Sequence, residues 1–289
     1  MMPAPHSVGA ARPPERRRRS LAMTLLTVAL AFVALVTLVW LGFQMPFAGF
    51  EPPPAAAAPE RYPIPTDEPA PVATYLRAVS TDGATLPRIT SAVYWGYGSA
   101  RPFGVWLPLR HQAVIVPGSS MVRTMEFPWY GITLLHVEDT YQNGAGATTL
   151  RGLLRQRTSG PHTDQAAFLA LASESILLPS ADALGARWEA IDEHTARLRF
   201  PFKSAEETLV VTFDPSTGLP QRISAQRYKS EAGGKVPWHI DVSDWAVLDG
   251  LRMPTRFDVS WGDEPGPWSR WTIEGVALDA NAPGAAERR

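Results

Sequence analysis

The spacing of apolar positions along the chain changes twice. From Ser20 to Phe43 there is no charged residue, and all 24 positions are apolar or small on every helical face. At about 1.5 Å per residue such a helix reaches about 36 Å, enough to cross a hydrocarbon core of about 30 Å with some tilt. A second, short helix is expected over Val72–Val79 (VATYLRAV). Beyond it the period becomes two. In TARLRF, Ala196, Leu198 and Phe200 alternate with Arg197 and Arg199. In TLVVTF, Leu209, Val211 and Phe213 share one face, and RMPTRFDVSW sets Met253, Phe257, Val259 and Trp261 opposite Arg252, Arg256 and Asp258. Such alternation belongs to antiparallel strands with one buried face. Asn143-Gly144, Asp214 to Gly218 and Asp249-Gly250 mark hairpin turns. About ten strands are expected between Arg88 and Leu278, joined as a meander.

One helix interrupts them. Thr163–Leu178 (TDQAAFLALASESILL) is rich in alanine and leucine, with Asp164 in its first turn and Pro179 at its end. Thr163 or His162 is its expected cap. Phe168, Leu171, Ala172, Ser175 and Leu178 form one apolar stripe. A lone apolar helix within a meander has a natural place on the concave face of a curved sheet, as a lid or plug. The predicted fold class is therefore mainly β with one or two helices: a curved antiparallel sheet or unclosed β-barrel covered by a helix, preceded by one N-terminal transmembrane helix.

Arg16 to Arg19 flank the long apolar run on one side, while Trp40 and Phe43 lie at its other end. Basic residues favour the cytoplasm and aromatic rings the interface, so the remainder of the chain is expected outside. A cleaved signal peptide is the alternative, but its apolar region usually spans about 7–15 residues. From Pro46 to Pro71, nine of 26 residues are proline, which reads as a semi-rigid extended spacer. The expected order is a cytoplasmic basic segment over 1–19, a transmembrane helix over 20–43 and a Pro/Ala-rich linker over 44–70. An extracytoplasmic β-rich domain over 71–281 and a disordered tail over 282–289 follow.

Net charge is −1, so nothing points to nucleic acid as a partner, and there is no cysteine to form a disulfide, thiolate metal site or nucleophile. PGSSM lacks the elbow of hydrolases, GYGSARPFG lacks dinucleotide-loop spacing, and Asp192 to His194 read as a turn. No motif calls for a cofactor.

Five segments taken together carry a resemblance: PVATYLRAV, HVEDTYQNGAG, ESILLPSADALGARWEAIDEHTARLRF, FDPSTGLPQRISAQRY and DWAVLDGLRMPT. They resemble an uncharacterised bacterial family of membrane-anchored proteins whose fold is similar to the lipoprotein carriers of the LolA/LolB type. The resemblance spans most of Pro71 to Asp279. It implies an unclosed barrel covered by a helix and a lipid or lipoprotein as ligand, and it carries over no catalytic residue. Those carriers are soluble or lipid-anchored, whereas this chain has a membrane helix, which sets shuttling between membranes apart.

Candidate chemistry is sparse. Most of the nine tryptophans beyond the anchor suit ordinary core packing; a subset with the helix, namely Trp129, Phe168, Leu171 and Trp261, is the candidate lining for an apolar ligand. His136 and Glu138 share one strand face, as do His239 and Asp241; two such strands side by side would supply four metal ligands, while isolated they are solvated strand faces. Glu174 sits in an apolar run where an ionised carboxyl needs a partner. Arg123 lies on the apolar phase of Met121, Met125, Phe127 and Trp129 and is the candidate partner. A structural Glu174–Arg123 pair and a catalytic Glu174 are the two readings. Two function classes follow: a membrane-tethered, non-enzymatic binding or carrier-like domain for a lipid, lipidated protein or other apolar ligand, and a cell-envelope enzyme, metal-dependent through His136, Glu138, His239 and Asp241.

Overall fold

The structure is a computed structural model, which describes residues 15–54, 57–102, 104–152 and 155–280. The chain divides into two units, Met1–Pro46 and Phe47–Arg289. In the first, α1 (Glu15–Gln44) carries 24 residues, Leu21–Gln44, long and apolar enough to cross a membrane, with none of its most apolar window buried. By length and composition alone it suits a membrane anchor or a signal sequence. Most of the basic segment, residues 1–14, and the tail expected over 282–289 lie outside the described residues.

The second unit opens with β1 (Arg61–Pro63), α2 (Ala70–Val79) and β2 (Thr85–Pro87). Then come β3 (Ala92–Ala100), β4 (Leu107–Val116), β5 (Ser120–Trp129), β6 (Ile132–Gln142), β7 (Ala145–Arg151) and β8 (Arg155–Ser159). α3 (Pro161–Leu177) and a 3-10 turn (Ala181–Leu184) intervene before β9 (Arg187–Asp192), β10 (Thr195–Phe202) and β11 (Ala205–Phe213). β12 (Pro220–Tyr228), β13 (Lys235–Leu248), β14 (Leu251–Trp261) and β15 (Pro267–Leu278) complete the domain.

β3 to β15 form one 13-stranded antiparallel sheet in the order β8-β7-β6-β5-β4-β3-β15-β14-β13-β12-β11-β10-β9. The chain starts in the middle of the sheet, meanders to one edge, crosses through α3 to the opposite edge, and meanders back until β15 pairs with β3. The hairpins turn as expected at Asn143-Gly144 and Asp249-Gly250, where both residues have positive φ, the requirement of the tight turn that matches strand twist. β7 and β12 both touch α3 although seven strands separate them in the sheet, so the sheet curls round the helix. The edges β8 and β9 do not pair, which leaves the barrel unclosed.

The curl changes what the helix buries. The stripe expected on one face becomes burial on every face: each residue from Ala167 to Leu177 is buried. Its alanines and leucines tolerate that all round. Its start also differs. The helix begins at Pro161, a residue suited to the first turn, after Gly160, and no side chain caps it from within. Glu231, from the loop between β12 and β13, accepts from the backbone N–H and the hydroxyl of Thr163 instead, each at 2.5 Å. Gly160 has φ 147°, and a Cβ there would lie 2.6 Å from the Glu231 carboxylate. At the other end the Tyr75 hydroxyl of α2 donates to the Ile176 carbonyl at 2.6 Å, satisfying one of the acceptors a helix C-terminus leaves free.

Two expectations need correction. The main sheet has thirteen strands rather than ten. β8 (RQRTS) is largely exposed and β9 (RWEAID) mostly so; edge strands of that kind show no apolar phase for alternation to reveal. The proline-rich stretch is not a free spacer throughout. Phe47 meets Tyr97 edge-on at 5.4 Å, the Ala48 carbonyl accepts from Arg110 at 2.7 Å, and Arg110 lies 4.8 Å over the Phe50 ring. β1 pairs with β2, and Tyr62 and Ile64 pack against the core. Proline is tolerated at strand edges and ends, so its abundance did not forbid this. A chain beginning at Phe47 is therefore expected to be soluble and β-rich, and one beginning at Glu51 to be about 1–2 kcal/mol less stable through loss of these contacts. Fractionation and chemical denaturation check both; a folded Phe47 product that stays in the membrane pellet would remove α1 as the sole anchor.

Candidate functional site

The concave face carries an unexpected row of polar side chains. Strand register aligns Tyr94 of β3, Ala113 of β4, Arg123 of β5, Asp139 of β6 and Thr148 of β7 across five neighbouring strands. Each polar member occupies the inward phase of its strand. Arg123 forms an ion pair with Glu174 of α3 and donates to the Tyr94 hydroxyl at 3.0 Å. Its guanidinium also lies 4.5 Å over the Trp271 ring. Asp139 accepts from the Thr148 hydroxyl at 2.6 Å. Glu174 is 7% exposed and Arg123 6%, so the pair fixes helix to sheet in a dry environment. Burial pushes the Glu174 carboxyl above its ordinary range, with the Arg123 charge opposing it.

A second inward arginine stands across the concavity. Arg227 follows Ile223 and Ala225 on the inward phase of β12. Its Nε donates to the Ala166 carbonyl of α3 at 3.0 Å. Its guanidinium lies 4.6 Å over Trp238 and 5.1 Å over Trp261. Burial lowers its pKa to about 10, which still leaves it charged at neutral pH. Lys229, two residues on, extends toward the same Trp261 ring and pairs with Asp263 and Glu264.

Between α3 and these strands lies a cavity of about 340 Å³. Its walls are Met121, Met125, Phe127, Leu135, Val137 and Leu150 on one side, Ala166, Ala167 and Ala170 of the helix above, and Trp261 and Trp268 opposite. Arg123, Asp139, Arg227 and Lys229 are its charged members. A smaller recess of about 50 Å³ shares Arg123, Asp139, Ala170, Arg227 and Trp268 with it and is floored by Glu174, Trp238 and Trp271. The alanine face of the helix leaves this space open, and larger side chains there would fill it.

The residues proposed as lining are distributed differently. Trp261 lines the cavity. Phe168 is buried instead in an aromatic cluster with Tyr141, Phe200 and Phe202, and Leu171 is fully buried in the core. Trp129 is not in the cavity lining: the burial alternation of β5 ends at Phe127-Pro128, where the pairing with β6 shifts register, and the Trp129 ring meets Tyr130 at 4.9 Å. The four metal candidates are not brought together. β6 and β13 are separated by five strands, and all four residues lie on the outward phase. His136 faces Glu126 at 3.3 Å, Glu138 faces Arg151 at 3.8 Å, His239 meets Ser224 at 3.0 Å, and Asp241 pairs with Arg222 at 2.5 Å. Among the described residues no group of three or more His, Cys, Asp or Glu is placed to hold a metal.

A strongly perturbed histidine was missed. His111 of β4 is fully buried beside Trp271, with ring centroids 5.3 Å apart, and reaches over Gly96 of β3 so that Nε2 donates to the Thr272 carbonyl of β15 at 3.1 Å. Burial pushes its pKa down to about 4. It is outside the cavity lining.

Fold and site together define a class: an unclosed antiparallel sheet curled round one buried helix, enclosing an apolar cavity into which two arginines project. The chain belongs to DUF6544, a family of unknown function, whose model matches residues 64–273. No curated protein matches. Among solved structures, the chain is similar to a DUF1329 family protein from Desulfovibrio piger at 16% identity and TM-score 0.45, over 75% of this chain and 96% of that one. It is also similar to a LolA superfamily protein from Nitrosomonas europaea at 12% identity and TM-score 0.45, over 76% of this chain and 98% of that one. At these values neither structure assigns a ligand to this chain.

Proposed function

We propose that the β-rich domain is a non-enzymatic, carrier-like binding domain for a lipid, a lipidated protein or another apolar ligand, held outside a bacterial cytoplasmic membrane by α1. The observation that carries this reading is the 340 Å³ cavity under α3, apolar over most of its wall and marked by a few charged groups. Its size lies at the lower end of the roughly 300–1,000 Å³ usual for small-molecule sites. An enzymatic reading finds less support. Glu174, the one carboxylate weighed as a catalytic acid, is engaged by Arg123.

Native mass spectrometry of the full chain extracted from its own membranes tests the proposal. A discrete co-released molecule of lipid-like mass is expected. Protein that emerges bare, and that also retains no acyl compound added afterwards, would contradict it. Orientation is tested by a reporter active only in the cytoplasm, fused after Arg289: it should be silent, and strong activity would reverse the topology.

A further inference from the structure

The buried polar groups of the recess are unbalanced in one direction. Three side-chain N–H groups there have no hydrogen-bond partner: Arg123 Nε, Trp238 Nε1 and Trp268 Nε1. No acceptor of the recess wall is similarly orphaned among the described residues. Trp238 is 3% exposed, so its donor cannot turn to bulk solvent. Native proteins leave few buried polar groups unsatisfied, and each unsatisfied one calls for a missing partner. Three orphaned donors on the residues of one recess call for a group rich in acceptors.

Charge points the same way. Of the two arginines that reach the recess, Arg123 is neutralised by Glu174. Arg227 has no carboxylate within ion-pairing distance among the described residues; its one hydrogen bond goes to a backbone carbonyl through Nε, and both flanking partners are tryptophan faces. Asp139 faces the same space and its charge acts on Arg227, but its hydrogen bond goes to Thr148 and it makes no contact ion pair with either arginine. The donors and the unpaired cation thus lie at the inner end, while the larger volume beside them is walled by methionine, leucine, phenylalanine and alanine.

We infer that the ligand is a single-chain amphiphile with an anionic oxygen head, a carboxylate or a phosphate, which inserts head-first so that Arg227 and the indole N–H groups of Trp238 and Trp268 hold the head while the acyl chain fills the outer cavity. The inference rests on the binding function proposed above and specifies its ligand. A carboxylate suits a recess of about 50 Å³, and charge-assisted hydrogen bonds inside a poorly solvated site are stronger than neutral ones.

The test uses the full chain in a sterol-based detergent, stripped of lipid and offered palmitate, methyl palmitate or monopalmitoylglycerol phosphate, with retention read by native mass spectrometry. Palmitate or the phosphate should be retained about tenfold or more over the methyl ester. Preference for the phosphate over palmitate would name a lipid phosphate as the source, and the reverse a free fatty acid; both support the inference. Arg227→Met should level acid and ester, and Arg227→Lys should restore part of the difference. Asp139→Asn, which removes a carboxylate that attracts Arg227 and would repel an anionic head, should increase retention of palmitate, and it keeps the test decisive if Arg227→Met fails to fold. Equal retention of acid and ester by the wild-type chain would overturn the head assignment while leaving the apolar cavity standing. Retention of none of the three would overturn both.

Discussion

Replacing Arg123 by methionine should destabilise the domain by about 3–5 kcal/mol, because it leaves the Glu174 carboxylate buried without its partner. Glu174→Gln should cost less, since a neutral isostere keeps a hydrogen-bonding group in place and leaves Arg123 with the Tyr94 hydroxyl and the Trp271 face. The double variant should lose less than the sum of the two, because neither charge is then stranded. Chemical denaturation of the chain beginning at Phe47 measures all three. Additive losses would mean that the pair is not coupled. A catalytic Glu174 gives the opposite pattern, with stability unchanged or raised on replacement, as active-site groups are often held at a cost to stability.

Acidification should remove about 3 kcal/mol through His111 alone. Its pKa falls from 6.5 in the unfolded chain to about 4 in the folded one through burial. Between those values the unfolded chain binds a proton that the native state does not, so stability declines as pH drops from about 6.5 to about 4 and levels off below. A difference of about 2.5 pH units corresponds to about 3 kcal/mol at 1.36 kcal/mol per unit. His111→Gln keeps a donor within reach of the Thr272 carbonyl and cannot titrate, so its stability should vary less across that window. The check is the difference in unfolding free energy between wild type and variant at several pH values. Parallel curves would show that His111 does not couple to folding.

The features that the sequence revealed and those it concealed have physical causes. Strands such as β10, β11 and β14 were readable because one face is dry and the other wet. The edges β8 and β9 were not, because they are mostly exposed on both faces. Arg123 was found because a charge interrupts an apolar phase. The same signal is present in HVEDTY, where Asp139 sits between Val137 and Tyr141, and in RISAQRY, where Arg227 follows Ile223 and Ala225; in both, the charge lies near the end of its strand's apolar phase, where a solvated position gives the same pattern. Trp129 shared the phase of Arg123 on paper, but the burial alternation of β5 ends at Phe127-Pro128, where the register with β6 shifts, and such a shift cannot be seen without the partner strand. Phe168 and Leu171 were placed at the cavity by helical periodicity, which does not tell an alanine face that leaves space from a leucine face that fills it.

The same distinction allows the most direct test of the account's central claim, that the space beneath α3 is a ligand site and not loosely packed core. Ala170 lines both the cavity and the recess. Ala170→Phe would place a ring in that space. The measurement is retention of a fluorescent acyl probe by wild type and variant, with the unfolding free energy of each. The account predicts that the variant loses the probe while its stability stays within about 1 kcal/mol of wild type, since inserted groups cost about 1–3 kcal/mol only where a core is already full. A variant that binds the probe as well as wild type, or that is overpacked and destabilised by that larger amount, would contradict it.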